Sequence, residues 1–460
     1  MTTFVWRSGV LTAEAVPLPA IAEAVGTPAY VYSATAIRDA YRRLTTAFAP
    51  LGAKFHYAIK ASPNLNLCKL MRSLGAGMDV VSGGEMERAW LAGTPMADIV
   101  FAGVGKSDAE ILAALDGRFS PVRADAERFG MPDPAGRGPV GLFNVESESE
   151  LASIARLAAE HKARPRLSVR VNPNVDPHTH EYTTTGKEEN KFGIDADRIV
   201  ALFDAWGSNP AVDLCGLHIH IGSPVPKVEP YVEAIAVVLK LIDELEAHGH
   251  AIRVLDMGGG WPVPYRDGEV PPIEDYGKAI VPLLAERVAA GLQVCFEPGR
   301  SIMANSAVLL SRVEHVKRGR AKTFVICDAG MHVLIRPALY RAFHFAWPVA
   351  WTGPAPKWLE DPGFPGLERC DLVGPICETG DFLARSRPLP RLERGDLVAI
   401  FSAGAYGMSM ASNYNDHGKP AEVLVDGDRL TLIGERQSLA SLMETERVPR
   451  EMTLEPAARR

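Results

Sequence analysis

Phe55-His56-Tyr57-Ala58-Ile59-Lys60-Ala61 is a short apolar run that ends near a lysine. It reads as a buried strand, with the lysine stem in apolar surroundings and the amine at the mouth of a site. Desolvation at such a place lowers an amine's pKa and makes it a nucleophile for an aldehyde. On this stretch alone, a solvated lysine capping an edge strand is the simpler account. What decides the fold is that the run is the first of eight. Strand-like apolar runs recur near 55–59, 78–81, 99–101, 142–145, 167–171, 214–220, 254–257 and 294–296. Helical patterns lie between most of them, at 64–74, 85–91, 109–115, 148–159, 199–206, 232–247 and 276–290. Strand alternating with helix means a parallel sheet in an α/β protein, and eight units predict a closed (β/α)8 TIM barrel. An open doubly wound sheet is the alternative, which eight repeats disfavour.

Outside the barrel the rhythm differs. Residues 1–34 read as short strands and turns that join a β domain, and Ser33 fits as the N-cap of a helix through Ile37, Tyr41, Leu44 and Phe48. The barrel is expected over 35–300. Beyond it, runs at 308–316, 323–327, 371–373, 396–401 and 421–425 are strand-like with short helices between, which predicts a mostly β domain over 301–445. Residues 446–460 read as a frayed tail. Two stretches rich in Pro and Gly, 118–139 and 352–368, read as exposed loop insertions.

The chain has 460 residues, too many for one ordinary core. Its net charge of -7 argues against nucleic acid or an anionic membrane as the main partner. It has no run of eighteen apolar residues, and no basic segment followed by a long apolar one opens the chain, so a cytoplasmic protein is expected. The six cysteines are scattered without a Cys-x-x-Cys pair, which predicts reduced thiols and no cysteine metal site. No His/Asp cluster with ligand spacing marks any other metal site.

In such a barrel the active site is built from the loops after the strands. The first strand ends on Lys60. The sixth ends His218-Ile219-His220-Ile221-Gly222-Ser223, the seventh Asp256-Met257-Gly258-Gly259-Gly260, the eighth Glu297-Pro298-Gly299-Arg300. Each has a structural account: a tight turn for Gly258, Gly259 and Gly260, a satisfied core imidazole for His220, a mutual ion pair for Glu297 and Arg300. All of these at one mouth form a more specific pattern. Pyridoxal phosphate needs a lysine for its aldehyde, a cradle of backbone amides for its phosphate, a flat group against its ring and an acid at its pyridine nitrogen. Lys60, the triple glycine, His220 and Glu297 supply these in turn. His218 is expected on the same face as His220, deeper in the barrel.

Tyr57-Ala58-Ile59-Lys60-Ala61, His220-Ile221-Gly222-Ser223, Gly258-Gly259-Gly260, Glu297-Pro298-Gly299-Arg300 and Cys377-Glu378-Thr379-Gly380-Asp381 resemble the fold type III pyridoxal-phosphate decarboxylases, whose architecture is alanine-racemase-like. Within that group the chain is most similar to the diaminopimelate decarboxylases. Asn144-Val145-Glu146-Ser147, Asn190-Lys191-Phe192-Gly193-Ile194, Arg336-Pro337-Ala338-Leu339-Tyr340 and Ser402-Ala403-Gly404-Ala405-Tyr406 extend the likeness over about 20–440. The resemblance implies a carboxy-lyase that converts meso-2,6-diaminopimelate to L-lysine and CO2. It implies that Lys60 holds the cofactor covalently, and that Asp79, Ser223, Gly258, Gly259, Gly260, Gly299, Arg300 and Tyr406 help to bind it. Arg300, Arg336, Tyr340, Glu378 and Tyr406 would meet the substrate. Cys377, donating a proton near Cα, and Glu378 would come from the partner of a homodimer. For Cys377 a buried structural thiol is the alternative, and for Asp79 a simple strand-end hydrogen bond.

Several positions depart from the family pattern: Pro224 after Gly222-Ser223, Trp261-Pro262 after the triple glycine, His332-Val333, and Asp416-His417-Gly418-Lys419. Several are expected near the pocket wall, with Trp261 reshaping the substrate end. They bear on substrate more than on reaction. Decarboxylases of D-amino acids, ornithine, arginine or carboxynorspermidine are therefore alternatives, though a carboxylate clamp suits a substrate that keeps a second carboxylate. An alanine-racemase-like enzyme is disfavoured by Glu297. A non-catalytic cofactor carrier would have no need of Cys377 and Glu378.

Overall fold

The computed structural model describes residues 3–117, 138–177, 185–186 and 190–446. Most of the expected insertion at 118–139 and of the tail at 446–460 lies outside the described residues.

All eight expected runs are barrel strands: β1 (Lys54–Ala58), β2 (Gly77–Val80), β3 (Ile99–Phe101), β4 (Leu142–Val145), β5 (Arg166–Asn172), β6 (Asp213–His218), β7 (Val254–Asp256) and β8 (Gln293–Phe296). Each pairs with the next in parallel, and β8 pairs back onto β1 with Phe296 opposite Phe55, so the sheet closes. Helices packed outside the barrel bury the strands' outer face as well, which is why the strands read as unbroken apolar runs. Several connections from strand to helix end on a capping residue. Asn64, Ser82, Ser107 and Ser147 each accept a backbone N–H of the helix that follows, worth about 1 kcal/mol apiece. Ser33 does the same for Ala34–Ala47 through Ala36 N–H at 3.0 Å.

After β8 the chain makes one short helix, Arg300–Met303, and enters the 12-residue strand Ala307–Arg318. This strand organises the second domain. Its first half pairs with Ala29–Ser33 and Leu397–Ile400, its second half with Thr323–Cys327. Glu368–Val373, Phe382–Leu389, Ala421–Asp426 and Arg429–Gly434 extend the same sheet.

Two expectations need amending. Of the strands in 1–34, only Ala29–Ser33 enters the large sheet, where all its residues are buried. Phe4–Arg7, Val10–Ala13 and Val16–Pro17 form a small antiparallel sheet of their own, attached through the Val10–Ala350 bridge. Residues 352–367 lack regular structure but are not simply an exposed loop. Trp358 stacks on Phe345 at 6.1 Å, and Phe364 packs against Trp347 and Trp351. No described helix is long and apolar enough to cross a membrane.

Candidate active site

Parallel pairing puts Asp79 of β2 opposite Ala58, the last residue of β1. Lys60 follows in a single 3-10 turn, and its Nζ bonds the fully buried Asp79 carboxylate. Burial pulls the Lys60 pKa down, but the charge of Asp79, with those of Glu297 and Tyr406, outweighs it and raises the pKa above the ordinary lysine value. This corrects the expectation of an amine made nucleophilic by desolvation. The neighbouring strand supplies a counter-charge, and Lys60 is held as an ammonium.

The ends of β6, β7 and β8 assemble a buried polar cluster. Asn144 of β4 donates its amide to Asp256 at 3.1 Å and to Glu297 at 3.0 Å, and is itself held by Ser168. His218 Nε2 lies 3.5 Å from Glu297. His218, Asp256 and Glu297 bring polar atoms within 4.8 Å of one another. They come from three strands, so no spacing in the sequence groups them. Burial lifts the Glu297 carboxyl well above the usual range, with the charge of Asp79 adding to it; burial likewise lifts Asp256, with Glu297 adding to it. Burial pushes His218 down to about 4 and His220 well below its ordinary value, so both imidazoles are neutral at pH 7. Glu297 and Arg300 are not each other's partners: Arg300 turns to Ser223 and Tyr265.

The triple glycine is a turn that no side chain fits. A Cβ on Gly259 would lie 2.3 Å from the Glu297 carbonyl oxygen, and one on Gly260 2.3 Å from that of Gly222. Gly258 and Gly260 also have φ of +61° and +95°, a region that favours glycine. Two of the amides are used within the protein: Gly258 N–H donates to Asp256 at 3.0 Å and Gly259 N–H to His220 Nδ1 at 3.1 Å. The second bond fixes the imidazole's orientation and leaves its other nitrogen to carry the proton. Gly299 packs its backbone against Ala58 and Ala61, beside Lys60.

Between the barrel mouth and the β domain lies a cavity of about 470 Å³. Lys60, Ser223 and Arg300 line it from the barrel, and Arg336, Tyr340 and Tyr406 from the second domain. Tyr406 sits at φ +56° and donates its backbone N–H to Ala61 O at 2.8 Å, which ties the two domains beside Lys60. Arg300 lies over the Tyr406 ring at 4.8 Å. Tyr265, Glu269 and Phe343 also line the cavity, and the sequence marks none of them.

Of the expected residues, Asp79, His220, Gly258, Gly259, Gly260, Glu297 and Gly299 stand behind the lining at the barrel mouth, and Cys377 and Glu378 are not in this cavity. Cys377 is exposed, its backbone N–H bonded to Asn415 at 3.0 Å, and the Glu378 carboxylate accepts the Tyr414 hydroxyl at 2.5 Å. Of the departures, Pro224 and Pro262 line the cavity. Trp261 does not: it is buried outside, stacked on Tyr231 at 4.4 Å and edged by Tyr276, Phe48 and Phe296. His332 and Val333 are buried in the β domain, His332 against His417 and Val333 under the Tyr30 hydroxyl. The expectation that Trp261 reshapes the substrate end gives way to a packing role.

The donor set fits pyridoxal phosphate. An amine reaches the cavity, and a glycine turn that leaves no room for a Cβ stands at the same barrel mouth. A neutral imidazole is fixed next to it, and a buried acid bonded by Asn144 lies within range of the amine. Residues 34–304 match a family model described as pyridoxal-dependent decarboxylase, pyridoxal binding domain. The chain is 43% identical to the diaminopimelate decarboxylase of Pseudomonas aeruginosa, covering 96% of this chain and 98% of that one. It is 44% identical to that of Neisseria meningitidis serogroup A, covering 95% and 98%. The crystal structure of the M. jannaschii diaminopimelate decarboxylase in complex with L-lysine aligns with a TM-score of 0.84 at 33% identity, covering 97% of this chain and 98% of that one. Barrel, glycine turn, lysine and near-full-length identity agree, and the chain belongs to the diaminopimelate decarboxylase family of pyridoxal-dependent decarboxylases.

Proposed function

We propose that this protein decarboxylates meso-2,6-diaminopimelate to L-lysine and CO2, the last step of lysine biosynthesis. The observation that carries the reading is a cavity of about 470 Å³ lined both by Lys60 and by the buried Arg300 and Arg336. Two guanidinium forks suit a substrate that keeps a second carboxylate.

The cofactor is pyridoxal phosphate, which when bound supplies a conjugated pyridinium that takes up the electron pair of the breaking Cα–carboxylate bond. Lys60 would hold its aldehyde, and Asp79 would keep a proton on Nζ whenever the amine is free. Glu297, oriented by Asn144, would share a proton with the ring nitrogen, and the neutral His220 would supply a flat face for the ring. Ser223, the turn of Gly258, Gly259 and Gly260, and Tyr406 would bind its phosphate, and Gly299 and Arg300 would also meet the cofactor. Arg300, Arg336 and Tyr340 hold the substrate carboxylates and exclude water from them. The division of labour follows the proposed boundaries, with 35–300 binding the cofactor and 301–445 closing the substrate end.

The exposed Cys377 and Glu378 support a homodimer with shared sites; a cytoplasmic location is part of the same proposal. In this dimer Cys377 returns a proton to Cα, and Glu378 meets the distal ammonium, each from the partner subunit. Mixing Lys60→Ala chains with Cys377→Ala chains restores part of the activity if sites are shared; no recovery in a mixture shown to exchange subunits would count against it.

The deciding test is CO2 release by the purified protein with pyridoxal phosphate, offered meso-diaminopimelate, D-lysine, D-ornithine and L-ornithine separately. Turnover of meso-diaminopimelate alone, giving L-lysine, is expected. Activity on another of the four without it would move the substrate.

A further inference from the structure

Arg300 and Arg336 are two cations in one buried pocket, and the residue that stands between them is Tyr265. Arg300 Nη1 donates to the Tyr265 hydroxyl at 2.9 Å. The Arg336 guanidinium lies 4.8 Å from the centroid of the Tyr265 ring, within the range of a cation–π contact. His344 closes the other side. It packs edge-on to Tyr265 at 5.5 Å, accepts Arg336 Nη1 at 2.8 Å on Nε2 and turns Nδ1 to Phe401 O at 2.9 Å. Tyr265 thus touches both guanidiniums with different parts of one side chain, the hydroxyl for one and the π face for the other.

Tyr265 is itself fixed. Its backbone N–H and that of Arg266 donate to a single oxygen of Glu269, at 3.0 and 3.1 Å. The next residues are tied to the 352–367 segment by the Arg266–Glu360 pair at 2.7 Å and by two bonds between Asp267 and Trp358. That segment, expected only as an exposed loop, braces the turn that carries Tyr265.

A guanidinium binds a carboxylate through two parallel N–H bonds only when its plane is held, and two such groups repel each other when desolvated. A phenol wedged between them addresses both problems. It accepts from one and offers an electron-rich face to the other. Burial alone would raise the Tyr265 pKa, yet Arg336 and Arg300 together bring it below the ordinary tyrosine value, which reflects how strongly the wedge feels both charges.

We infer that Tyr265 is a positioning residue that aligns Arg300 and Arg336 and thereby sets the preference for a substrate with a second carboxylate. The inference rests on the substrate reading above. An end group bearing only an ammonium meets two aligned cations and is refused.

The test is Tyr265→Phe, which keeps the ring and removes the hydroxyl. The KM for meso-diaminopimelate is expected to rise about tenfold, the loss of one charge-assisted bond, with kcat within a few-fold. Calorimetry with pimelate, which has both carboxylates and no amine, is expected to show a matching loss of affinity. The affinity for pyridoxal phosphate and its protein-bound absorbance stay unchanged. Tyr265→Leu, which removes the ring as well, is expected to lose more in both. Unchanged KM and pimelate affinity in Tyr265→Phe would overturn the inference, as would a loss of cofactor affinity alongside them, which marks a general support role. If the unaltered protein fails to turn over meso-diaminopimelate, the substrate reading falls instead, and the pimelate comparison still reads the clamp.

Discussion

Replacing Asp79 with asparagine tests what keeps Lys60 charged. The amide has the shape of the carboxylate and retains an acceptor oxygen for Lys60, so the substitution removes charge and little else. Two opposite unit charges in contact are worth about 4 kcal/mol at an effective dielectric near 20. At about 1.4 kcal/mol per pKa unit, that is up to about three units. Glu297 and Tyr406 still raise the Lys60 pKa, but burial, which lowers it, then meets weaker opposition. The sign follows: the folded pKa is raised above the ordinary lysine value, and taking away the largest favourable charge brings it down. Only the unprotonated amine attacks an aldehyde, and its fraction grows tenfold for each unit the pKa falls. The assay mixes cofactor-free protein with pyridoxal phosphate at fixed pH between about 6 and 9 and follows the protein-bound absorbance band, with Lys60→Ala as the control that forms none. For the unaltered protein the capture rate is expected to climb with pH across the window. For Asp79→Asn the same curve lies at lower pH, so that near neutrality capture is faster by about tenfold or more. A curve that superimposes on the original, or moves to higher pH, refutes the argument that Asp79 controls the amine.

Gly259→Ala is expected to lower both the stability of the cofactor-free protein, by about 1–3 kcal/mol for overpacking, and the affinity for pyridoxal phosphate, because its Cβ meets the Glu297 carbonyl at 2.3 Å. Denaturant unfolding and cofactor titration read the two, and an alanine tolerated in both would remove the steric case for the cradle. Trp261→Ala is expected to cost about 3–5 kcal/mol in unfolding, with KM unchanged, since Trp261 packs on Tyr231 outside the cavity. A raised KM at unchanged stability would return Trp261 to the substrate end.

The features legible in the sequence are those that one segment carries by itself. The barrel strands are buried on both faces and read as apolar runs, and Ser33 announces its helix as a cap. Phe382–Leu389 escapes because an edge strand can carry Arg385, Arg387 and Pro388 where a central one cannot. The N-terminal strands are expected to join the β domain, but which of them does so is not legible, because the strands that flank Ala29–Ser33, Ala307–Arg318 and Ala421–Asp426, come from the far end of the chain.

The same distinction runs through the site. Lys60, His220, the triple glycine and Glu297 stand at strand ends and declare themselves by type and place. Their electrostatics do not, because those depend on register. Lys60 alone suggests a desolvated amine, and only the pairing of Ala58 with Asp79 turns it into an ion pair. Glu297 alone suggests an ordinary acid, and only the convergence of β4, β7 and β8 gives it Asn144 and Asp256 as company. Tyr265 lies 35 residues from Arg300 on a turn with no periodic signal, and its significance exists only where two domains bring one cation to its hydroxyl and another to its ring face. In this barrel Lys60, His220 and Glu297 stand at strand ends, whereas the residues that set their charge and aim belong to the neighbours. Substitutions at Asp79, Asn144 and Tyr265 should therefore move pH profiles and KM before they abolish turnover.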